Sequence, residues 1–237
     1  MKIISFGHRC SSASLIQLLN EKTESYPFDW MITKLSTIKK CVETDFVNFL
    51  DSNNYICKRM ETSNIIDGKQ QHICNENVLV NSHYETNMNN TSTYACQLAF
   101  NHRNIGTDLD YYKRCIDRFN AVFESDEIKC TIYIHPILGQ DDYAKSINGI
   151  IGEFGGFSDF ITAKYQNVYS LYFVLVKKTD SEIFTLVKAT DRYTIYKIIC
   201  NSEFIDGGDP CMGVHAAERD CMMDLIKAYK ANLIPHL

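Results

Sequence analysis

Cys10 sits where a short strand gives way to a helix. Apolar Ile3, Ile4 and Phe6 predict a buried strand, Gly7 breaks it, and Ala13, Leu15, Ile16, Leu18 and Leu19 recur with helical spacing. Ser11 and Ser12 are suited to cap that helix by accepting bonds from its first N–H groups. A helix N-terminus carries partial positive charge, and His8 and Arg9 stand beside the thiol, so the setting favours thiolate. A thiolate at such a point is a nucleophile. The plainer reading, a cysteine packed as a small hydrophobe, applies to most cysteines, and this chain has 10 of them.

A nucleophilic cysteine needs a base within hydrogen-bond reach, and the base needs an orienting group. Of the 7 histidines, His83 is the best placed, at the end of the apolar run Val78-Leu-Val80. His135, after Cys130-Thr-Ile-Tyr-Ile134 and before Pro136, is second, and His215 is third. Asp29, Glu85 and Arg9 are candidates for the orienting group or for substrate contacts, with Asp29 first as orienter, and His8, Trp30 and His135 are further candidate substrate contacts. Each of these has an ordinary structural alternative, a loop salt bridge or a histidine bonded to a carbonyl. Other chemistries lack their motifs: the chain has no GxxxxGK[ST], no GxGxxG after a strand and no HExxH. No metal and no organic cofactor is expected.

The elements that must position these residues alternate. Amphipathic helices are predicted over 11–20, 35–50, around 109–123 and over 216–231, with short apolar strands at 3–6, 77–81, 130–134, 168–176 and 193–200. Residues 51–76 are polar and irregular, with Asp67-Gly68 marking a turn between short strands, and 86–107 is a long Asn/Thr/Ser-rich loop. The glycines at 139–156 predict an irregular connection holding a short helix, and Asp206-Gly-Gly-Asp-Pro210 predicts a turn. Tyr26-Pro-Phe-Asp-Trp30 reads as a fixed loop with Phe28 and Trp30 as buried anchors, since Pro27 holds Tyr26 extended. The expectation is one α/β domain over residues 1–237, with a mainly parallel sheet of about five strands flanked by helices. Cys10, His83 and His135 would then lie along one edge of that sheet, where such sheets bind ligands.

A net charge of −5 gives nucleic acid and anionic membranes no purchase, and no apolar run approaches the ~18–20 residues that span a bilayer. Gly7-His8-Arg9 interrupts any signal-peptide core. The cysteines are scattered without a CxxC pair, which suits a reducing compartment and excludes paired-cysteine zinc, so the expected location is the cytoplasm. Abundant Asn, Ile and Lys fit an AT-rich genome, a viral one included.

Ser5-Phe-Gly-His-Arg-Cys10-Ser-Ser-Ala13, followed by Tyr26-Pro-Phe-Asp-Trp30, resembles the start of a family of papain-like cysteine peptidases found in bacteria and large DNA viruses. Val78-Leu-Val-Asn-Ser-His83-Tyr84 is similar to the family's strand ending in His-Asp-Phe, with Tyr-Glu here in place of Asp-Phe. Tyr112 to Phe119 and the strand at 130–134 resemble its next helix and strand. The resemblance implies Cys10 as nucleophile and His83 as base. The leading expectation is a cysteine-dependent hydrolase or acyl transferase acting on a peptide or other acyl substrate. The rivals are a non-catalytic binding module, meeting a host protein if the source is viral, and a transferase using the strand-end pocket for a sugar or nucleotide.

Overall fold

The computed structural model describes residues 1–8, 10–66, 69–89, 96–100, 103–137, 142–177, 184–200 and 216–233. The turns expected at Asp67-Gly68 and 206–210 lie outside them. The elements run β1 (Lys2–Ser5), α1 (Cys10–Leu18), β2 (Met31–Thr33), α2 (Leu35–Glu43), α3 (Val47–Leu50), β3 (Tyr55–Ile66), β4 (Lys69–Asn81) and β5 (Leu98–Phe100). They continue with α4 (Ile105–Glu124), β6 (Lys129–Ile137), α5 (Asp142–Lys164), β7 (Val168–Lys177), β8 (Phe184–Ala189), β9 (Tyr193–Cys200) and α6 (Ala216–Leu233).

The expected α/β class with a mostly parallel five-stranded sheet is what the structure shows. Its strand order is β1-β6-β7-β9-β8, with β8 alone antiparallel at the edge. Period-two alternation divides its side chains between two layers. Ile132, Ile134, Leu171 and Phe173 pack against Leu15 and Ile16 of α1 and Met222 and Ile226 of α6. Ile4, Tyr133, Tyr172 and Val174 point the other way, into a larger core with Phe119 and Phe123 of α4 and Phe154 and Ile161 of α5.

A second sheet was not foreseen. Strands β2-β5-β4-β3 form an antiparallel four-stranded sheet, and the strand expected at 77–81 is the end of β4 within it. Segment 51–76, expected to be irregular with short strands about a turn, forms most of a long β3–β4 hairpin whose register runs from Tyr55 opposite Asn81 to Ile66 opposite Lys69. Helix 35–50 is split as well: Asp45 and Phe46 adopt φ of 47° and 60°, and the Phe46 N–H bonds Cys41 O at 2.8 Å. The break lets both Phe46 and Phe49 enter the core. Conversely, the glycine-rich stretch, from Asp142 on, is part of the continuous helix α5. Ile150, Phe154, Phe157 and Ile161 step by four, three and four and are all buried, and that burial outweighs roughly 1 kcal/mol of lost helix propensity per glycine.

Lys129, at the start of β6, is fully buried. Its ammonium donates to the carbonyls of Ser125, just past α4, and Gln166, just past α5, the latter at 3.1 Å. Removal from water holds its pKa below the ordinary 10.5.

Within Tyr26–Trp30, only Phe28 is the anchor expected of both aromatics. It is fully buried among Phe6, Phe46, Phe49 and Phe119, whereas Trp30 is partly exposed. Phe28→Ala should cost about 3–5 kcal/mol in urea denaturation, as large aromatic truncations in a core do. Trp30→Ala should cost less than half as much; equal losses would mean the tryptophan is the true anchor.

Candidate functional site

The β1–α1 loop is built on one backbone contact. Gly7 has φ of +81°, and a Cβ there would lie 2.5 Å from Thr33 Cγ2 and 3.3 Å from Phe28 O. No other residue fits. His8 follows at φ +62°, a region that non-glycine residues seldom occupy. Small hydroxyls close the loop: Ser12 Oγ donates to Gly7 O at 3.1 Å, the Gly7 N–H donates to Ser5 Oγ at 3.2 Å, and the two hydroxyls lie 2.6 Å apart. Ser12 therefore bonds back to the strand and does not serve as the expected cap. Cys10 opens α1 itself, among the donors of a helix N-terminus, and is only 3% exposed.

The groups around this loop come from the C-terminal ends of β6 and β2. Tyr133 Oη lies 3.3 Å from His8 Nδ1 and is within 3.5 Å of Thr33 O. His135, two residues on along the same strand face, places its ring 5.4 Å from that of His8. Burial, assisted by Lys34, lowers the His135 pKa from 6.5 to about 4, so this imidazole is neutral at pH 7. Its Nδ1 has no hydrogen-bond partner among the described residues. Glu153 of α5 is solvent-exposed, yet enough protein surrounds its carboxyl to raise it above the ordinary value, with Lys34 pulling the other way.

The expectation that Cys10, His83 and His135 share one sheet edge is corrected. Cys10 and His135 follow the parallel strands β1 and β6, but His83 lies beyond β4 in the other sheet. The Ile32–Ala99–Val80 row puts two strand spacings, roughly 10 Å, between the strand that touches Gly7 and the strand that carries His83. His83 is exposed, with its N–H on Asn81 Oδ1 at 3.1 Å and its ring edge-on to Tyr84.

Asp29 is buried and accepts the Tyr26 N–H at 2.9 Å and the Lys22 ammonium; both described partners belong to its own loop, and neither is His83. Burial raises its pKa, and Lys22 opposes the rise. Trp30, with φ of +62°, faces a surface cleft, and Arg9 and His215 lie outside the described residues. Tyr133 and Lys34 were missed. The alternation Thr131-Ile-Tyr133-Ile-His135 was the available signal, because residues two apart on a strand share a face.

The described residues contain no cluster of His, Cys, Asp or Glu arranged to hold a metal ion, and no helix long and apolar enough to cross a membrane. Cys10, Cys41, Cys57, Cys96, Cys115, Cys130 and Cys221 are free thiols.

Fold and site together define an α/β protein with a cysteine at a strand-to-helix turn and imidazoles close by. The family model described as "Putative papain-like cysteine peptidase (DUF1796)" matches residues 1–147, and the chain belongs to that family. The match spans Cys10, Asp29, His83 and His135 alike. No curated protein and no solved structure matches the chain.

The His135 shift has a testable sign. Its folded pKa lies below the ordinary 6.5, so the unfolded chain binds more protons between about pH 6.5 and 4. Its contribution should therefore be complete above pH 6.5 and fall by up to about 3 kcal/mol as pH drops to 4. The loss of stability from pH 7 to pH 4.5 should be visibly smaller in His135→Gln than in wild type. Parallel pH profiles for the two proteins would refute the assignment.

Proposed function

We propose that this protein is a cysteine-dependent hydrolase of the papain-like peptidase kind, with Cys10 as nucleophile. The observation that carries the reading is the position of Cys10, first residue of α1 on a loop fixed by Gly7, inside the matched region. The thiolate attacks a peptide or other acyl carbonyl, and the resulting oxyanion is met by backbone N–H groups of the first turn. An imidazole takes the thiol proton and returns it to the leaving amine. Water then attacks the thioester with the same imidazole as base, releasing the acid and restoring the thiol.

His83 is the base we assign, on the family pattern and on its exposed position at a turn. The assignment requires His83 and Cys10 to come together when substrate binds, because their strands belong to different sheets in the free protein. His135 is the weaker choice, because a group with a pKa of about 4 accepts protons poorly at neutral pH. A second reading makes His8 the base; its buried ring two residues from Cys10 favours it. In either case the buried thiol must be uncovered for substrate to reach it. We place the protein in the cytoplasm, as expected from its cysteine usage, with no cofactor.

The pH profile of Cys10 alkylation tests this. Restricted access scales the whole profile but leaves its midpoint alone, so the midpoint reports the thiol pKa even for a buried group. Peptide mass spectrometry should place it well below the ordinary value of about 8.5. The midpoint should move up toward 8.5 in His83→Ala and not in His8→Ala; the reverse pattern would transfer the role to His8. An ordinary midpoint in the wild type would leave a non-catalytic binding module as the better description.

A further inference from the structure

Between the last turn of α1, the loop that follows it and α4, the surface opens into a cleft of about 600 Å³, lined by Gln17, Thr23, Glu24, Trp30, Tyr111 and Arg118 among others. Its volume is that of an ordinary ligand site. The cleft adjoins the cysteine loop through the backbone. Trp30 lies between Phe28 and Met31, whose carbonyl oxygens are 3.3 and 3.5 Å from the position a Cβ on Gly7 would take. Like His8, Trp30 is held at positive φ, a strained conformation that persists only where the surroundings impose it.

The charges in the cleft are unevenly matched. The Lys22 ammonium is taken by Asp29. The Glu24 carboxylate has the Lys2 ammonium within 4.0 Å, and Arg103, which covers one face of the Tyr111 ring at 3.9 Å from outside the lining, has Asp108 within 3.8 Å. Arg118 is different: it is partly buried, its Nη1 donates to Ser25 O at 3.3 Å and reaches Cys115 Sγ at 3.9 Å, and no described carboxylate lies within ion-pair distance. A guanidinium has five donors in a fixed fork, and a carbonyl and a thiol leave most of them for an incoming oxyanion.

We infer that this cleft binds a short peptide segment carrying an acidic side chain, with its carboxylate on Arg118 between the faces of Trp30 and Tyr111. A single carboxylate suits the site better than a phosphate dianion, because Glu24 lines the same cleft and would repel the second charge. The hydroxyl of Thr23 and the amide of Gln17 are suited to peptide groups. As substrate recognition, the inference rests on the cysteine-hydrolase reading, and Trp30, whose neighbours Phe28 and Met31 meet Gly7, is the link between the cleft and the Cys10 loop.

The chain's single tryptophan reports occupancy directly. Trp30 emission in the Cys10→Ser protein, which cannot turn substrate over, is titrated with three six-residue peptides. They have no aromatic residue and differ only in a central Glu, Gln or Lys. The Glu peptide should change the emission saturably and bind at least about tenfold more tightly than its Gln twin, with the preference fading at high salt. Arg118→Gln should abolish the preference. Because Arg118 also ties down the 22–30 loop, a second pair on an exposed position settles the matter if that variant does not fold: Gln17→Glu should weaken and Gln17→Lys strengthen binding of the Glu peptide. Emission that ignores every peptide, or responds equally to Glu and Gln, overturns the inference. The readout does not depend on thiol chemistry, so the cleft and the nucleophile can fail separately.

Discussion

Everything near Cys10 depends on the absence of a side chain at Gly7. Thr33 occupies the space where a Cβ would stand, and the carbonyls of Phe28 and Met31 close in behind it. Two segments far apart in sequence, the end of β1 and the entry to β2, thereby meet backbone to backbone. Phe6, just before the contact, enters the aromatic core with Phe28, Phe123 and Phe157; His8, just after it, meets Tyr133. The sharp turn that aims α1 follows from the positive φ of both Gly7 and His8. The strain at His8, of order 1–3 kcal/mol, is offset by the bonds and burial around it.

That contact also explains how two sheets become one body. β1 and β6 are neighbours in the parallel sheet, yet β2 to β5 and the helices α1 to α4 all come between them in the chain. The connection from one parallel strand to the next thus contains a whole antiparallel sheet. Leu98 and Phe100 of β5 pack in the same core as Tyr133 and Tyr172 of the parallel sheet. A connection of this length makes the β1–β6 pairing one of the most non-local contacts in the molecule, the kind whose loop-closure entropy slows folding.

The parallel sheet was readable because its strands are buried on both faces and so stand out as apolar runs: Cys130 to Ile134, Val168 to Val176 and Tyr193 to Cys200. β8 was not, because Phe184 and Leu186 are exposed at an edge and no run marks it. The turn of the hairpin was marked by Asp67-Gly68, but the length of its strands was not, because pairing between β3 and β4 leaves little trace in the polar composition of 51–76. Cys10 was legible as the start of a helix, because local sequence determines local geometry. His83 was misplaced because its neighbours are decided by strand order, which apolar runs do not encode. Tyr133 lay in plain view but was overshadowed by the histidine two residues later.

The ammonium of Lys129 joins the ends of two helices that have no sequence reason to finish at the same place. Since each α-helical residue advances the chain by about 1.5 Å, adding or deleting a turn in α4 or α5 alone would carry one carbonyl out of reach. The lengths of the two helices are therefore coupled through a side chain belonging to neither, and insertions tolerated elsewhere on this surface would have to occur in both or in the loops at their opposite ends.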